Sequence, residues 1–282
     1  MLSKRSALKA VLAGALIILV WLVANPALAA TKTDLHWYGH SAFKITTPSG
    51  KVLLLDPWLT NPANKNGKDD LAKLNRADLI LISHGHFDHI GDAVEIAKKT
   101  NARLVSTYDL GRSIAQYDGY PKNLVTYDTQ GNFGGRLNLY NGEVEITFVP
   151  AIHSSTVAPQ EAQGDNFGEV HPAGNPGGFI VRVKNGPTIY HTGDTDLFSD
   201  MALISRFYKV NVMLACIGDH FTMGPERAAE AVSLVRPAIV VPMHYQTFPA
   251  IPGSPQAFAQ ALKKQRVQTQ LRVMKVGESI QL

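Results

Sequence analysis

The chain has 282 residues, of which 45% are hydrophobic and 18% are charged, and it carries a formal net charge of +4. This is the composition of an ordinary globular protein with enough residues to bury a sizeable core. A single cysteine excludes an intrachain disulfide, so the fold must be stabilised by its core.

The N-terminal segment has the pattern of a signal peptide, residues 1–30. A basic start is followed by the apolar stretch Ala10–Ala24 and by small residues that end at Ala29 and Ala30, where we expect cleavage. An uncleaved anchor is the alternative, although the apolar stretch is shorter than the roughly 20 residues that a spanning helix needs. We expect the protein to be periplasmic or secreted, with membrane contact only through an uncleaved leader.

The positive charge of the chain belongs mostly to this leader. It contains Lys4, Arg5 and Lys9 and no acidic residue, so the 27 basic residues less these three leave 24, against 23 acidic residues. The remainder, residues 31–282, is therefore nearly neutral and has no basic run. This excludes the electrostatic footprint of a nucleic-acid-binding protein.

Short strands are predicted at the start of residues 31–282. Leu35–Tyr38, Ala42–Thr46 and Lys51–Leu55 have strand composition, and the last two are separated by a turn with proline and glycine. The apolar run Leu79–Ile82 indicates a buried strand, and Asp92–Lys99 indicates a helix behind the residues that follow this strand.

Directly after the strand at Leu79–Ile82, the sequence HGHFDH at residues 84–89 offers three imidazoles and one carboxylate. A histidine-rich surface turn is the simple explanation. However, nitrogen and oxygen donors together suit zinc, manganese or iron, and residues at a strand end project into a loop rather than into the core. This motif favours metal binding.

Three later strand ends supply further donors. His153 follows the strand at 144–149, Asp194 follows the strand at 188–193, and His244 follows the strand at 238–242. Polar residues that recur at strand ends complete a ligand set that one loop cannot provide. They make the metal-site interpretation much stronger than the surface-turn interpretation.

The second half of the chain alternates strands and helices. Cys216 lies in the apolar run 212–217, which predicts a buried residue rather than a ligand. Helices are predicted at Ala228–Val235 and Phe258–Lys264, each preceded by a proline that can occupy the first turn. Thr156–Gly177 is predicted to be a long loop that overhangs the residues around His153.

The motifs HGHFDH, AIHSS, HTGDTD and VVPMHYQTFP, in this order, resemble the metal-binding motifs of the metallo-β-lactamase superfamily. More narrowly, LLLDPWLTNP and IGDHFTMGPERAAEAV resemble metal-dependent hydrolases related to ascorbate-6-phosphate lactonase. The resemblance runs from about residue 33 to the C-terminus. It implies the four-layer αββα sandwich of that superfamily, with residues 31–282 forming one hydrolase domain.

The resemblance also implies a site for two divalent metal ions. Zinc is the default, and manganese or iron would fit the same donors. His84, His86 and His153 are assigned to one metal, Asp88, His89 and His244 to the second, and Asp194 bridges them. The two histidines of HxH can point the same way, whereas the following DH pair can face a neighbouring ion. The spacing therefore agrees with this partition.

The implied activity is hydrolysis by a metal-bridging hydroxide that attacks an ester, a lactone or a phosphodiester. Asp88 or His220 could manage the proton. The substrate would be a small molecule or derive from a lipid, and a lipid phosphodiesterase similar to phospholipase D is one alternative. A non-catalytic metal-binding or solute-binding exported protein is the competing class.

Other residues near the motifs have open roles. His40 either acts near the metals or makes a structural hydrogen bond, and His220 could bind substrate or transfer a proton. Asp56 is expected to hold the HGHFDH loop, and His191 to lie behind the ligands. Three aromatic residues can line a pocket or simply pack: Trp58, Tyr245 and Phe248. Gly193 and Gly218 are expected to allow tight turns beside the ligands.

Overall fold

The structure of the protein is a computed structural model, which describes residues 32–158 and 169–282. The predicted signal peptide lies outside the described residues, so its cleavage stays a prediction. Within the described ranges, no helix combines the length and the apolar character needed to cross a membrane.

Sixteen strands and seven α-helices build the described part of the chain. The strands are β1 (Asp34–Gly39), β2 (Ala42–Thr46), β3 (Val52–Leu55), β4 (Leu79–Leu81), β5 (Arg103–Thr107), β6 (Gln130–Gly131), β7 (Arg136–Leu139), β8 (Val144–Pro150), β9 (Thr156–Val157), β10 (His171–Pro172), β11 (Gly177–Val183), β12 (Thr188–His191), β13 (Val212–Cys216), β14 (Ile239–Met243), β15 (Gln270–Leu271) and β16 (Ser279–Gln281). The helices are α1 (Gly67–Lys73), α2 (Phe87–Ile90), α3 (Ala93–Thr100), α4 (Tyr108–Ser113), α5 (Met201–Phe207), α6 (Pro225–Val235) and α7 (Pro255–Lys264).

Two seven-stranded mixed sheets form the centre of the fold. The first has the order β16-β1-β2-β3-β4-β5-β6, and the second has the order β15-β14-β13-β12-β11-β8-β7. In each sheet an antiparallel part joins a parallel part, which begins at β3–β4 in the first sheet and at β12–β13 in the second. The carboxyl ends of β4, β12 and β14, which belong to the parallel parts, and of the antiparallel strand β8 carry the loops that form the candidate site.

The sequence of the strands explains how the layers stack. Along β3, Leu53 and Leu55 pack in the core between the two sheets, whereas Leu54 points to the opposite face, where α1 and α3 cover the first sheet. Strand side chains alternate between faces, so apolar residues at every position bury a strand on both sides. Helices α6 and α7 add Ala228 and Phe258 to the core of the second sheet. The predicted αββα sandwich is confirmed.

The predicted strands and helices agree closely with the structure where a local signal exists. Helix α7 begins after Ser254, whose hydroxyl accepts a hydrogen bond from Ala257 N at 3.2 Å, and α6 begins with Pro225. Cys216 is fully buried in β13, as predicted. Helices α1, α2, α4 and α5 were not predicted, because four to seven residues are too few to show a helical period in the sequence.

The predicted long loop at Thr156–Gly177 contains a short antiparallel pair, β9 with β10. Each of these strands has only two residues, which is too few to give a strand pattern in the sequence. The base of the loop is fixed close to the histidine motif. Ser155 Oγ accepts a hydrogen bond from Gly85 N at 3.1 Å and donates one to the carbonyl oxygen of Ala173 at 2.8 Å. Residues 159–168 are outside the described ranges, so the overhang itself stays a prediction.

Candidate metal centre

The HGHFDH motif lies where β4 ends and α2 begins. His84 and His86 are in the connecting segment, and His86 has an extended backbone (φ −71°, ψ 150°) just before the helix. Asp88 and His89 are in the first turn of α2. The backbone therefore changes from extended to helical within the motif, and the rings of His84 and His89 remain in contact across this change, with centroids 4.1 Å apart.

The first group of donors consists of His84, His86 and His153, the last from the loop after β8. Nδ1 of His86 lies 3.0 Å from Nε2 of His84 and 3.3 Å from Nε2 of His153. One nitrogen from each ring lies within 4.8 Å of the others, which is close enough to share one ion. These are the three residues predicted for the first metal.

The second group consists of Asp88, His89 and His244 together with His40. Asp88 Oδ2 lies 3.6 Å from Nε2 of His244 and 3.0 Å from Nε2 of His40. The other ring nitrogen of His40 lies 2.8 Å from Thr247 Oγ1. The structure therefore places the predicted second group together and adds His40, which the sequence left between two roles.

Asp194, from the loop after β12, lies between the two groups. Its Oδ1 is 3.3 Å from His89 Nε2, and its Oδ2 is 2.9 Å from His244 Nε2 and 3.8 Å from His153 Nε2. This buried carboxylate therefore reaches candidate donors of both groups.

The unpaired buried atoms of these side chains fit a divalent metal. His89 Nε2, Asp194 Oδ1 and His244 Nε2 are buried and form no hydrogen bond of normal geometry. Their close polar contacts are those between the two imidazoles and the carboxylates of the site. Native proteins rarely leave buried polar atoms unpaired, and metal ligation would satisfy all three. Imidazole nitrogen with carboxylate oxygen is a donor set that suits zinc, manganese or iron.

Burial and neighbouring charges set the protonation of the two groups. Burial lowers the pKa of His84 well below its usual value, and burial together with the nearby His153 lowers the pKa of His86 to about 4. These rings are neutral at pH 7 and keep free lone pairs, as metal ligation requires. At His244 the carboxylate of Asp194 outweighs burial and raises the pKa to about 9. Burial opposes ionisation of Asp194, but His244 and His89 lower its pKa well below the usual range.

Asp56 orients the ligands through Ser83 and His89. The Asp56 carboxylate accepts hydrogen bonds from Ser83 N at 2.8 Å and Ser83 Oγ at 2.7 Å, and its Oδ2 lies 2.7 Å from Nδ1 of His89. Ser83 Oγ also lies 3.0 Å from Nδ1 of His84. With Nδ1 held on this side, both rings direct Nε2 toward the donor groups.

His191 and two glycines fix the backbone behind the ligands. Nε2 of His191 lies 3.1 Å from the carbonyl oxygen of Ser41, and its Nδ1 accepts a hydrogen bond from Gly193 N at 3.1 Å. Gly193 has a φ of +60°, and a Cβ on Gly218 would lie 2.3 Å from the His244 carbonyl oxygen. A larger residue would strain the first position and displace a ligand at the second.

A cavity of about 500 Å³ opens beside the donors. It reaches ligands of both groups, and Phe248 lines it. Trp58 stacks on Phe248 at 5.8 Å, whereas Tyr245 packs away from the cavity against Trp37 at 6.0 Å. The aromatic residues left open by the sequence therefore divide between the cavity and the core.

The cavity lining leaves out His220 and includes two phenylalanines that the sequence analysis did not name. His220 is exposed, packs edge-on against Phe221 with ring centroids 4.3 Å apart and is not part of the cavity lining. Its role in substrate binding or proton transfer stays a prediction. Phe87 and Phe221 do line the cavity, although the sequence analysis did not single them out. The only signal was their position next to predicted site residues, within HGHFDH and after His220.

Known proteins resemble this chain along most of its length. A family profile described as a Beta-lactamase superfamily domain matches residues 34–244. A UPF0173 metal-dependent hydrolase from Thermodesulfovibrio yellowstonii is 53% identical over 268 residues, which cover 95% of this chain and 98% of the relative. Another UPF0173 metal-dependent hydrolase, from Archaeoglobus fulgidus, is 42% identical over 244 residues, which cover 86% of this chain and 96% of the relative.

A solved structure extends the resemblance to three dimensions. Igni18, a metallo hydrolase from the hyperthermophilic archaeon Ignicoccus hospitalis, is 36% identical and has a TM-score of 0.75 with this chain. The alignment covers 89% of this chain and 99% of Igni18. The family profile, the near-complete sequence alignments and the shared fold together show that the chain belongs to the metallo-β-lactamase superfamily, among the UPF0173 metal-dependent hydrolases.

Proposed function

We propose that the chain hydrolyses an ester, lactone or phosphodiester with two divalent metal ions at this centre. The observation that carries the proposal is the position of Asp194, whose two carboxylate oxygens lie within 4 Å of donors from both groups. When bound, two divalent ions would acidify a water molecule and polarise the carbonyl or phosphoryl oxygen of the substrate.

The cavity favours a catalytic metal site over a purely structural one. A structural site encloses its ion with protein ligands, whereas a catalytic site leaves a position for water and substrate. Here the cavity borders His86 and His153 of the first group, Asp88 and His244 of the second, and Asp194. A substrate in the cavity would thus lie beside both groups at once.

Asp88 is the residue that we propose to manage the proton. Its carboxylate borders the cavity, and its Oδ2 is held by His40 at 3.0 Å. Burial opposes ionisation of this carboxyl, but His89, His244 and His40 lower its pKa well below the usual range, so it remains an acceptor at neutral pH. His220 is less well placed, because it is exposed outside the cavity lining.

Metal analysis with a hydrolysis screen tests the proposal. The purified chain, with zinc added as the first metal because imidazole and carboxylate donors suit it, is expected to bind close to two ions by mass spectrometry. It should hydrolyse at least one of three reporter classes, which are aryl esters, lactones and bis-aryl phosphodiesters, and chelation should abolish this turnover. Two bound ions without turnover of any class would contradict the proposed chemistry. No bound metal would overturn the site itself.

We also propose export of the hydrolase, supported by the leader pattern of residues 1–30. A fusion of this segment to a reporter enzyme that is active only in the periplasm is expected to be active. N-terminal sequencing of the exported chain should begin at Ala30 or Thr31. An inactive reporter would indicate that the fusion remained in the cytoplasm and would contradict this proposal.

A further inference from the structure

The cavity beside the candidate metal centre has two kinds of wall. One wall is formed by the candidate ligands. The rest of the lining consists of Phe87, Ser154, Phe221, Phe248, Ala250 and Ile251. Five of these six side chains are apolar, so a substrate whose scissile group lies at the metals would place its remaining atoms against an apolar surface.

The apolar wall is largely aromatic and partly open to solvent. Phe87 and Phe221 are 45% and 58% exposed. Removing large apolar side chains from water lowers the free energy, so covering these two rings would be favourable. Phe248 stacks on Trp58 at 5.8 Å, and Phe87 packs edge-on against Trp58 at 5.7 Å. These contacts join Phe87, Phe248 and Trp58 into one aromatic surface that a ligand can cover.

Away from the candidate ligands, the described lining of the cavity offers no cation for an anionic substrate tail. No lysine or arginine of the described ranges belongs to its lining, and its charged side chains other than histidine are the carboxylates of Asp88 and Asp194. A carboxylate or phosphate held away from the metals would lose hydration without gaining a counter-charge.

We propose that the substrate of this site carries an uncharged, apolar alkyl or aryl group that binds against Phe87, Phe221, Phe248 and Ile251. Substrates with a second anionic group on this side are selected against. This inference rests on the proposed hydrolytic function and narrows its substrate class. The specificity belongs to the aromatic wall, whereas the scissile group is recognised by the metals.

Binding of alkylphosphonates tests the inference without turnover, because a phosphonate can occupy the metals but is not hydrolysed. Calorimetry on the zinc-loaded protein would compare methylphosphonate, hexylphosphonate and 5-carboxypentylphosphonate. Each methylene that covers the wall should tighten binding by about fourfold, so the hexyl compound should bind at least about tenfold more tightly than the methyl compound. The carboxylate at the end of the same chain should remove most of this gain. Equal affinities for the hexyl and carboxypentyl compounds would overturn the inference.

Variants of the aromatic wall assign the effect to named residues. Phe221→Ala, in an exposed position, and Phe248→Ala are each expected to weaken hexylphosphonate binding by about three- to tenfold and to weaken methylphosphonate binding much less. Phe207→Ala is the matched control, because Phe207 is 73% exposed on α5 and lies outside this cavity. An equal loss for both phosphonates in the Phe221 and Phe248 variants would indicate a damaged metal site and contradict a specificity role.

A charge introduced at the wall gives a positive test. Phe221→Lys places a cation at the exposed side of the cavity. It should raise the affinity for 5-carboxypentylphosphonate relative to hexylphosphonate by about two- to fivefold, as expected for a partly exposed ion pair. An unchanged ratio would show that the tail does not lie beside Phe221.

Parallel kinetics separate this inference from the proposed function. Aryl hexanoates and the aryl monoesters of adipic acid have the same chain length and differ in the terminal carboxylate. Turnover without a preference for the neutral ester would reject the apolar tail while the hydrolase stands. The phosphonate preference without turnover of any reporter class would support the apolar site and reject the proposed chemistry.

Discussion

Asp194 is the residue on which the candidate centre depends most. It is 3% exposed, and its two oxygens lie near His89, His244 and His153. Asp194→Asn replaces one of these oxygens by an amide group that cannot ligate a cation through nitrogen. We expect bound metal to fall below two ions per chain and turnover to fall by at least about 10²-fold, as measured by mass spectrometry and reporter hydrolysis.

A control for this substitution lies two residues along the chain. Asp196 is partly exposed and pairs with Arg227 through two contacts of 2.6 Å. Asp196→Asn should retain metal and activity, because an exposed ion pair contributes little to stability. Full activity of correctly metallated Asp194→Asn would refute the bridging role.

Asp56 controls the orientation of His89 and Ser83. One of its oxygens accepts from Ser83 N, and the other lies within 2.7 Å of both Ser83 Oγ and His89 Nδ1. In Asp56→Asn, the amide nitrogen would replace an acceptor oxygen and would face either Ser83 N or the pair Ser83 Oγ and His89 Nδ1, so at least one hydrogen bond would be lost. We expect metal affinity, measured by competition with a chelator, to fall by about 10–100-fold.

Ser83→Ala is the milder comparison, because Asp56 and its contact with His89 remain. It should weaken metal binding less than Asp56→Asn does. If Asp56→Asn bound metal like the wild type, the carboxylate would be structural only.

At the scale of elements, the loops after β8 and β12 support each other. Ile152 N donates a hydrogen bond to Thr195 Oγ1 at 2.9 Å, and Asp196 N donates one to the Ile152 carbonyl oxygen at 3.0 Å. The loops carry His153 and Asp194. Thr195→Val removes the first acceptor, which should lower the free energy of unfolding by about 1 kcal/mol and weaken metal binding. Thermal unfolding and metal titration would measure both effects.

Thr195→Ser keeps the hydroxyl and should stay close to the wild type in both measurements. If the serine variant lost as much stability and metal affinity as the valine variant, the methyl group of Thr195 rather than its hydrogen bond would be responsible.

The helical turn Ile114–Asp118, which follows α4, ends in a carboxyl group that favours the protonated form. Burial raises the pKa of Asp118 from 3.8 to about 6, although the charge of Lys98 opposes the shift. The Oδ2 atom of Asp118 is buried and has no hydrogen-bond partner. Because the folded state binds the proton more tightly, this carboxyl lowers stability as the pH rises from about 4 through 6. Asp118→Asn should match the wild type near pH 4.

Above pH 6 the asparagine variant should be more stable by on the order of 1 kcal/mol, allowing for the partial exposure of the site. Melting temperatures at pH 4 and pH 7 would measure the difference. A stabilisation that is equal at both pH values would exclude titration of Asp118 as its cause.

At the scale of the whole molecule, the candidate ligands link the two sheets. His84, His86, Asp88 and His89 follow β4 of the first sheet, whereas His153, Asp194 and His244 follow β8, β12 and β14 of the second. Metals bound between them stabilise the folded state only. At a free metal concentration 100 times the dissociation constant, one site contributes about 2.7 kcal/mol.

Removal of the metals with a chelator is therefore expected to lower the melting temperature by about 5–10 °C, and added zinc should restore it. Scanning fluorimetry with parallel metal analysis checks this expectation. An unchanged melting temperature after verified metal loss would mean that the ions do not contribute to the stability of the sandwich.

The sequence by itself determined the αββα sandwich, through the resemblance of its motifs, and the strand ends that carry the donors. Apolar runs such as Leu79–Ile82 mark strands locally, and a polar residue directly after such a run marks the end of the strand. The same local signals marked α6 and α7. These strands, strand ends and helices could be located without knowing which strands are neighbours in a sheet.

Only the tertiary structure decided how distant segments meet. It brought His40 to Asp88, placed Phe221 rather than His220 in the cavity, and set Asp56 behind His89. These contacts depend on the order of strands in the sheets and on the stacking of the sheets. Periodicity and composition report which face of an element is buried but not what lies opposite that face. The ligand types could therefore be inferred from the chain, whereas the shape and the apolar character of the cavity required the fold.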